Sequence, residues 1–370
     1  MSYEISKELV KRGHEVVVFT TDMYSPFLRF KGKENPTWVS GIAVYRFENL
    51  LNELAWKNMP IALGMASALK NHIQDFDVVH AHLWRCFQAP LTHHYARKYG
   101  VPYVLQIHGS LPRIFGKQRL KWIYDVLFGY RLLMDASKVI ALSRMEAEQY
   151  RDMGVPEEKN TVIPNGIDLS EYTNLPPKGW FKKKFGIDED EKMVLYLGRI
   201  HKIKGIDILV KAFADVVGKL ECVKLVVVGP DDGFLGELES LIKALRIEKN
   251  VLLLGPLYGR DKLEAYVDAD VYVLPSRYET FPMSVLEAVA CGTPIILTEK
   301  CGIAEYLKDK VSLVVKPNPE ELVKALLEML QDEERQHIFR RNGRTIIREF
   351  DISEIISKLE EVYEGIARQC

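Results

Sequence analysis

The chain has 370 residues, of which 47% are hydrophobic and 27% are charged, an ordinary composition for a globular protein of about two domains. Its 50 Lys and Arg residues nearly balance its 51 Asp and Glu residues, which leaves a formal net charge of -1. This balance excludes a general attraction to nucleic acid or to an acidic membrane, so any anion-binding site must be local.

Cysteine usage and the lack of long apolar runs bear on the compartment. The 5 cysteines show no CxxC spacing, so they are predicted to be reduced. No apolar run approaches the roughly 18 residues of a membrane-spanning helix, and the N-terminal stretch lacks the apolar core of a signal peptide. The sequence therefore predicts a cytoplasmic protein.

The first half of the chain alternates short apolar strands with helical patterns, which predicts parallel sheets built from βαβ units. It opens with a predicted helix over residues 3–11. Strands are predicted after it at residues 15–20, 77–80, 103–107, 138–142 and 162–164. A polar segment at 168–178, which contains Pro176-Pro177, predicts a hinge region.

The second half repeats this alternation more clearly. Its apolar runs have the length and composition of strands in a sheet that is covered on both faces. They lie at residues 193–197, 223–228, 251–254, 271–274, 294–297 and 312–315. The tail, 352–367, carries a helical apolar stripe. Two similar α/β halves are predicted, with a ligand at the carboxyl ends of the strands.

A basic loop, GRIHKIKG at 198–205, lies between a predicted strand and a predicted helix. Backbone N–H groups and the helix dipole favour an anion at such a position. Arg199 offers a bidentate fork and Lys204 a mobile point charge, a pair suited to a diphosphate. From these residues alone, a solvated basic loop is an alternative of equal weight.

An acidic stretch, PSRYETFPMSVLE at 275–287, again follows a predicted strand. Glu279 falls in the loop and Glu287 on the helix, and each carboxylate can accept two hydroxyls of a ribose or hexose. The alternative is that Glu279 caps the helix and Glu287 is a surface charge. The apolar neighbours of Glu287 make an unpartnered carboxylate costly there, which favours a functional role.

These two motifs resemble those of retaining glycosyltransferase family 4, whose C-terminal part is the glycosyl transferases group 1 domain. The resemblance rests on G-R-x4-K-G at 198–205 and E-x7-E from Glu279 to Glu287, and it runs from about residue 160 to 320. It implies an α/β protein of the GT-B fold, with two doubly wound Rossmann-like domains facing across a cleft. The expected parts are an acceptor-side domain at 1–165, a hinge at 166–178, a nucleotide-sugar-binding domain at 179–348, and a C-terminal helix at 349–370 that packs back on the first domain.

The resemblance also implies roles for particular residues. Arg199 and Lys204 would bind the donor diphosphate, and Glu287 the nucleotide ribose. Glu279 would contact the transferred sugar, and His108 matches the family histidine that faces it, so these two are the expected catalytic residues. Backbone N–H groups near three further residues would assist donor binding: Phe281, Met283 and Ser284. His80 and His82 are interpreted as structural or acceptor-side residues.

The implied reaction is hexosyl transfer with retention of the anomeric configuration. The leaving nucleoside diphosphate would be stabilised by side-chain cations and helix N–H groups, without a metal or any other cofactor. Two D-x-D strings, at 188–190 and 268–270, lie in a charged loop and at the start of a buried strand, and we do not expect them to bind metal.

The expected partners are a nucleotide-sugar donor and a carbohydrate or lipid-linked acceptor, and no nucleic acid. Residues 113–131 mix basic and aromatic side chains, which allows peripheral contact with the inner face of the membrane. Packing of this helix on its own sheet is the more common outcome for such a pattern.

Two further readings stay open. One is a nucleotide-sugar epimerase of the same fold. The other is a donor-binding protein with little or no turnover, because the chain begins inside what matches the first helix of the family. The strand and glycine-rich loop that precede that helix in the family are therefore predicted to be missing. The expectation is that such a truncated chain binds donor but turns over poorly.

Overall fold

The computed structural model describes residues 1–25, 27–32, 34–56, 60–82, 84–114 and 116–368. The chain forms two compact units. Unit 1 comprises Met1–Gly166 and Ile352–Cys370, and unit 2 comprises Ile167–Asp351. Residues 167–178 of the predicted hinge thus lie in unit 2, where Ile167 N donates to Phe350 O at 2.8 Å.

The described strands of unit 1 form two sheets. They are β1 (Val17–Thr21), β2 (Thr37–Val39), β3 (Ile42–Phe47), β4 (Val79–Ala81), β5 (Tyr103–Gln106), β6 (Lys138–Ala141) and β7 (Asn160–Val162). The first sheet has the order β1-β3-β2, with β2 antiparallel to β3. The second sheet has the order β4-β5-β6-β7 and is parallel throughout.

The edge strands of the two sheets of unit 1 are β1 and β2 in the first sheet and β4 and β7 in the second. In the described part of the chain, β1 pairs with β3 and β4 pairs with β5, and no strand covers the other edge of either. The residues of β1 are half-buried, whereas those of β5 are fully buried. The last predicted strand, 162–164, was placed too late, because β7 ends at Val162 and Pro164 has no N–H to donate to a ladder.

Helices cover these sheets. In unit 1 they are α1 (Ser2–Lys11), α2 (Asn52–Trp56), α3 (Leu63–His72), α4 (Gln88–Tyr99), α5 (Gln118–Tyr124), α6 (Tyr130–Asp135) and α7 (Arg144–Asp152). A π-helical stretch, Asp125–Gly129, joins α5 to α6.

The C-terminal helix, Ile352–Ala367, belongs to unit 1 and lies beside α1. Its apolar stripe shares a core cluster with Ile5 and Leu9 of α1. At the edge of this contact, Glu360 accepts from Arg12 Nη1 at 2.6 Å and lies 2.7 Å from His14 Nε2. The periodic apolar pattern of the tail therefore packs the last helix against the first.

Unit 2 contains one six-stranded parallel sheet. Its strands are β8 (Lys192–Leu197), β9 (Val223–Val228), β10 (Val251–Leu254), β11 (Val271–Leu274), β12 (Ile295–Thr298) and β13 (Ser312–Val315). Their order is β10-β9-β8-β11-β12-β13, so the direction of winding reverses between β8 and β11. This is a doubly wound sheet, as the family resemblance implied, and its strands lie where the apolar runs predicted them.

The central strands of this sheet are buried because residues on both faces are covered. The helices of unit 2 lie between consecutive strands, except the first, which precedes β8, and the last two, which follow β13. They are α8 (Trp180–Phe185), α9 (Ile206–Val217), α10 (Leu235–Ala244), α11 (Gly259–Asp268), α12 (Met283–Ala290), α13 (Ala304–Leu307), α14 (Pro319–Gln331) and α15 (Glu333–Ile346). Among the described helices of both units, none is long and apolar enough to cross a membrane.

Candidate active site

The two predicted donor motifs follow the two strands where the winding of unit 2 reverses. Arg199 and Lys204 come after β8, and Glu279 comes after β11. These strands are direct neighbours, with Val194 opposite Val271. In open parallel sheets, ligands bind outside the carboxyl ends of the strands at such a switch point.

Glycines allow the loops at this point to approach closely. Gly205 has a φ of +67°, and a Cβ there would lie 2.0 Å from the carbonyl oxygen of Pro275. At Gly229, which follows β9, a Cβ would lie 1.9 Å from the carbonyl oxygen of Gly198. Neither position has room for a side chain, so glycine is what lets the basic loop contact its two neighbours.

Arg277 ties the basic loop to the acidic loop. Its guanidinium donates to both carboxylate oxygens of Asp207 at 2.7 Å, and its Nη1 also donates to Lys202 O at 2.7 Å. Its backbone N–H donates to Ile203 O at 2.8 Å. Burial alone would raise the pKa of Asp207, but the hydrogen bonds and charge of Arg277 lower it. The sequence did not single out this pair, and no local spacing indicates it.

Both predicted diphosphate ligands are ion-paired in the structure. The Arg199 guanidinium contacts the carboxylate of Asp232, and the Lys204 ammonium contacts that of Glu279. Arg199 is largely exposed, whereas Lys204 and Glu279 are mostly buried. The structure thus brings Lys204 and Glu279 into direct contact and adds Asp232 beside Arg199; the sequence predicted neither contact. A bound diphosphate would compete with these two carboxylates for the cations.

Glu287 lies on α12 and is held from α11. Its Oε1 accepts from Lys262 Nζ at 2.8 Å, and its Oε2 accepts from the Tyr266 hydroxyl at 3.0 Å. Burial, and next the charge of Glu287, raises the pKa of Cys291 to about 12. Glu287 is therefore a partnered carboxylate in a mostly buried position, which removes the alternative of a surface charge. Lys262 and Tyr266 were not predicted.

The other predicted donor-binding residues lie just before α12 and in its first turn. The side chain of Phe281 is 4% exposed and packs against the rings of Tyr306 and Phe350, so any donor contact there must come from its backbone. The hydroxyl of Ser284 accepts from the Tyr272 hydroxyl at 2.8 Å, and Met283 is half-buried. The first N–H groups of a helix have no partner within it, so this end suits an anion.

His108 lies in unit 1, after β5, in a cluster with His80 of β4 and with His82, which follows β4. Its Nε2 is 2.9 Å from His82 Nδ1, and His80 Nδ1 is 2.6 Å from the Tyr363 hydroxyl of the C-terminal helix. His108 has a φ of +54°, an uncommon backbone conformation for a residue with a side chain. Burial lowers the pKa of His108 to about 4 and that of His80 to about 3.

A buried carboxylate holds the loop that follows His108. Glu146 on α7 accepts from Gly109 N at 2.5 Å and from Leu142 N at 2.7 Å. Burial raises the pKa of Glu146 to about 7. The sequence missed this residue, since its position on an amphipathic helix carries no sign of the loops it contacts.

The second D-x-D string is engaged by the backbone. Asp268 accepts from Gly179 N at 2.5 Å and from Lys182 N at 2.9 Å, and Asp270 accepts from Met193 N at 2.7 Å. Within the ranges that the structure describes, no group of three or more His, Cys, Asp and Glu side chains is arranged to hold a metal ion.

Known families and proteins match both halves of the chain. The family model described as Glycosyltransferase Family 4 matches residues 1–171, and the family model described as Glycosyl transferases group 1 matches residues 179–346. An uncharacterized glycosyltransferase of Methanocaldococcus jannaschii is 30% identical, over 97% of this chain and 92% of its own. The N-acetyl-alpha-D-glucosaminyl L-malate synthase of Bacillus anthracis is 27% identical, over 99% and 93% of the two chains.

Solved structures show the same fold. Sucrose-phosphate synthase from Thermosynechococcus elongatus has a TM-score of 0.79 at 21% identity and covers 100% of this chain and 93% of its own. Anabaena HepE, solved in complex with UDP and glucose, has a TM-score of 0.74 at 21% identity, with 88% and 87% covered. With the donor motifs placed at the switch point of unit 2 and both family models matched, the chain belongs to glycosyltransferase family 4, has the GT-B fold and is a glycosyltransferase.

Proposed function

We propose that this enzyme transfers a hexose from a nucleoside-diphosphate sugar to a hydroxyl of a carbohydrate or lipid-linked acceptor, with retention of the anomeric configuration. The observation that carries the proposal is the contact between Lys204 and Glu279 at the switch point of unit 2. It supports the proposal because a cation that can bind the leaving phosphate lies beside a carboxylate that can accept a sugar hydroxyl, in the loop before α12.

In this proposal Arg199 and Lys204 bind the diphosphate and leave their carboxylate partners. As the glycosidic bond to phosphate breaks, negative charge grows on the diphosphate, and these cations with the N–H groups of α12 stabilise it. Glu279, released from Lys204, accepts a hydroxyl of the transferred sugar. The reaction needs no metal ion in this scheme, because the cations supply the positive charge.

Glu287 binds the ribose in this proposal. Each carboxylate oxygen has about two lone pairs, so the contacts from Lys262 and Tyr266 leave capacity for the two ribose hydroxyls. Those two contacts also fix the orientation of the carboxylate before the donor arrives. The loss in side-chain entropy on binding is then small.

His108 supplies a neutral hydrogen-bonding group toward the reacting sugar. Because burial lowers its pKa to about 4, the ring is uncharged near pH 7. Its Nε2 is engaged by His82, and among the described residues no hydrogen bond engages its Nδ1. That nitrogen is the atom we assign to a sugar hydroxyl.

We place the enzyme in the cytoplasm, at the inner face of the membrane, with residues 113–131 as its peripheral membrane contact. Four described cysteines are free thiols, which fits a reducing compartment: Cys86, Cys222, Cys291 and Cys301. A lipid-linked acceptor would be reached from this position.

The test begins with thermal unfolding in the presence of UDP-, GDP- and ADP-sugars. A ligand at a hundred times its dissociation constant adds about 2.7 kcal/mol to the free energy of unfolding, which is readily measured. The stabilising donor is then incubated with candidate acceptors, and the anomeric configuration of the product is read by NMR. Stabilisation by none of these donors would contradict the proposal.

Two controls separate this function from its alternatives. Donor incubated without acceptor should keep its sugar configuration, whereas an epimerase would convert it. Transfer should persist in EDTA. Complete loss on chelation, with recovery on adding magnesium or manganese, would contradict the metal-free scheme.

A further inference from the structure

The surface formed by residues 118–131 is unusually apolar. Seven large side chains on it are exposed, with fractions from 37% for Tyr130 to 63% for Leu120. We call them the apolar patch: Leu120, Trp122, Ile123, Val126, Leu127, Phe128 and Tyr130. The sequence favoured packing of this helix on its own sheet, but only a narrow stripe is buried: Asp125, Gly129 and, just after the segment, Leu132.

A buried ion pair determines which side of the segment 118–131 faces the solvent. Asp125 is fully buried, and Arg85 donates to both of its carboxylate oxygens at 2.8 Å. Arg113 Nε donates to it as well, at 2.8 Å. One turn further, a Cβ on Gly129 would lie 3.0 Å from the ring of Trp84. These contacts hold the inner stripe against unit 1 and leave the apolar patch exposed.

The charge around the apolar patch has one sign. Residues 113–131 contain five basic side chains and one acidic side chain, and the acidic one is Asp125, which is already paired. Lys117, Arg119 and Arg131 are exposed. The exposed charge beside the patch is therefore positive, although the whole chain is nearly neutral.

A basic cavity of about 610 Å³ adjoins the apolar patch. Leu127 and Phe128 of the patch form part of its wall. The rest is mainly cationic or titratable and includes Lys98, Arg131, Arg97, His93 and His94. Arg97 and His93 each contact Asp135 at 2.8 Å, whereas Lys98 and Arg131 are exposed. We call this the basic cavity.

We propose that the apolar patch and the basic cavity together form a docking surface for a bilayer containing anionic phospholipid. The aromatic and aliphatic side chains enter the boundary between headgroups and acyl chains, and the cavity takes a headgroup phosphate. Apolar side chains rimmed by Lys and Arg are the pattern that binds such surfaces. This inference specifies the membrane contact that is part of the proposed function, and it rests on that part of the proposed function only.

The first experiment measures co-sedimentation of the full chain with vesicles, without donor or acceptor. One set of vesicles is phosphatidylcholine, and the other contains phosphatidylglycerol as well. We expect binding to the anionic vesicles to be much the stronger. The double variant Trp122→Ser, Phe128→Ser should bind at least about tenfold more weakly, because two large apolar side chains no longer leave water.

Trp180→Ser is the matched control for the patch. Trp180 lies in unit 2 and is 51% exposed, against 53% for Trp122. It should bind vesicles like the parent chain. Thermal unfolding of each variant shows whether it is folded.

The second experiment tests the basic cavity by charge reversal. Lys98→Glu with Arg131→Glu should weaken binding to anionic vesicles by about twentyfold or more, since each basic residue at such a surface contributes roughly fivefold. Binding to phosphatidylcholine alone should not fall. Lys219→Glu with Lys243→Glu, two exposed lysines of unit 2, changes the net charge equally and should reduce binding far less.

Three outcomes would overturn the inference. The first is that the parent chain fails to bind anionic vesicles, and the second is that the patch and cavity variants bind as their controls do. The third is that the parent chain binds no vesicles but forms a dimer in sedimentation velocity, which Trp122→Ser, Phe128→Ser dissociates; the surface would then belong to an interface with a second copy. Because no assay here contains donor, such a failure leaves the proposed transfer reaction untouched, and the nucleotide-sugar test is independent of vesicles.

Discussion

The imidazole rings of His82 and His108 stack with centroids 5.1 Å apart, and His82 Nδ1 lies 2.9 Å from His108 Nε2. Burial lowers the pKa of both rings, so both are neutral near pH 7. In a neutral pair, one nitrogen donates its proton and the other accepts it. The contact therefore couples the tautomers of the two rings and restrains the rotation of His108, the histidine that we assign to the sugar.

We predict that His82→Leu lowers kcat by about tenfold or more while the KM for donor changes little, because His108 is no longer held in position. His82→Asn should restore much of the activity, since an Asn amide can occupy the position of Nδ1. Steady-state kinetics of both variants are the measurement. Equal loss in the two variants, or a changed donor KM alone, would mean that His82 does not position His108.

The buried histidines make stability depend on pH. The pKa of His80 falls from 6.5 to about 3 and that of His108 to about 4, in both cases chiefly through burial. The unfolded chain binds protons at these rings below pH 6.5, whereas the folded chain does not until about pH 4. The free energy of unfolding is therefore expected to fall as pH falls through this window.

Glu146 acts with the opposite sign. Burial raises its pKa from 4.5 to about 7, so its contribution to stability is lost as pH rises from 4.5 through 7. Because the histidines outnumber it, urea unfolding should show lower stability at pH 5 than at pH 7, and His108→Asn should flatten this slope. His337→Asn, on the exposed face of α15, is the control. Greater stability at pH 5 would refute the prediction.

Removing either donor cation should weaken binding of a nucleoside diphosphate. Each of Arg199→Ala and Lys204→Ala deletes a charge-assisted contact, which costs roughly 1.5–3 kcal/mol, or about tenfold to a hundredfold in Kd. Lys202→Ala is the matched control, an exposed lysine of the same loop. Isothermal titration gives the three affinities. If all three match the parent chain, the diphosphate is not bound here.

The two glutamates of the acidic motif should affect nucleotide binding in opposite ways. Glu287→Gln should weaken binding of the nucleoside diphosphate by roughly 1–3 kcal/mol and leave binding of pyrophosphate unchanged, because only the nucleotide carries the ribose. Glu279→Gln removes the competing partner of Lys204, so nucleotide binding should hold or tighten while transfer falls. Each variant serves as the control for the other. If Glu287→Gln weakened the binding of nucleotide and of pyrophosphate equally, the assignment of Glu287 to the ribose would be wrong.

Gly205→Ala should disturb the site more than a glycine substitution of similar backbone geometry elsewhere. A Cβ at Gly205 would lie 2.0 Å from Pro275 O, whereas at Gly186, with a φ of +66°, nothing lies within 4 Å. Both changes strain the backbone, but only Gly205→Ala forces two loops apart, at an added cost of about 1–3 kcal/mol. Urea unfolding and nucleotide titration test this. Equal losses at the two positions would show that the loop contact is dispensable.

The strands of unit 2 and the two donor motifs were predictable from the sequence because their signals are local, whereas β2 and β3 of unit 1 were not predicted. Apolar runs indicated all six strands of unit 2, and the loop from Gly198 to Gly205 carries both predicted diphosphate ligands within a few residues. Such features need only the periodicity of one segment and the chemistry of its side chains. The role of His108 was predicted from the family resemblance instead, because a histidine after a buried strand does not by itself indicate a functional residue.

The partners of those residues were decided by the tertiary structure. Lys204 contacts Glu279, 75 residues away, and Arg199 contacts Asp232, 33 residues away. These contacts exist because β8 lies between β9 and β11, an order that no single segment encodes. The exposure of the apolar patch was also decided by the tertiary structure. The pattern of the segment itself favoured burial. The ion pair of Asp125 with Arg85, 40 residues away, determines which side of the segment packs against the rest of unit 1.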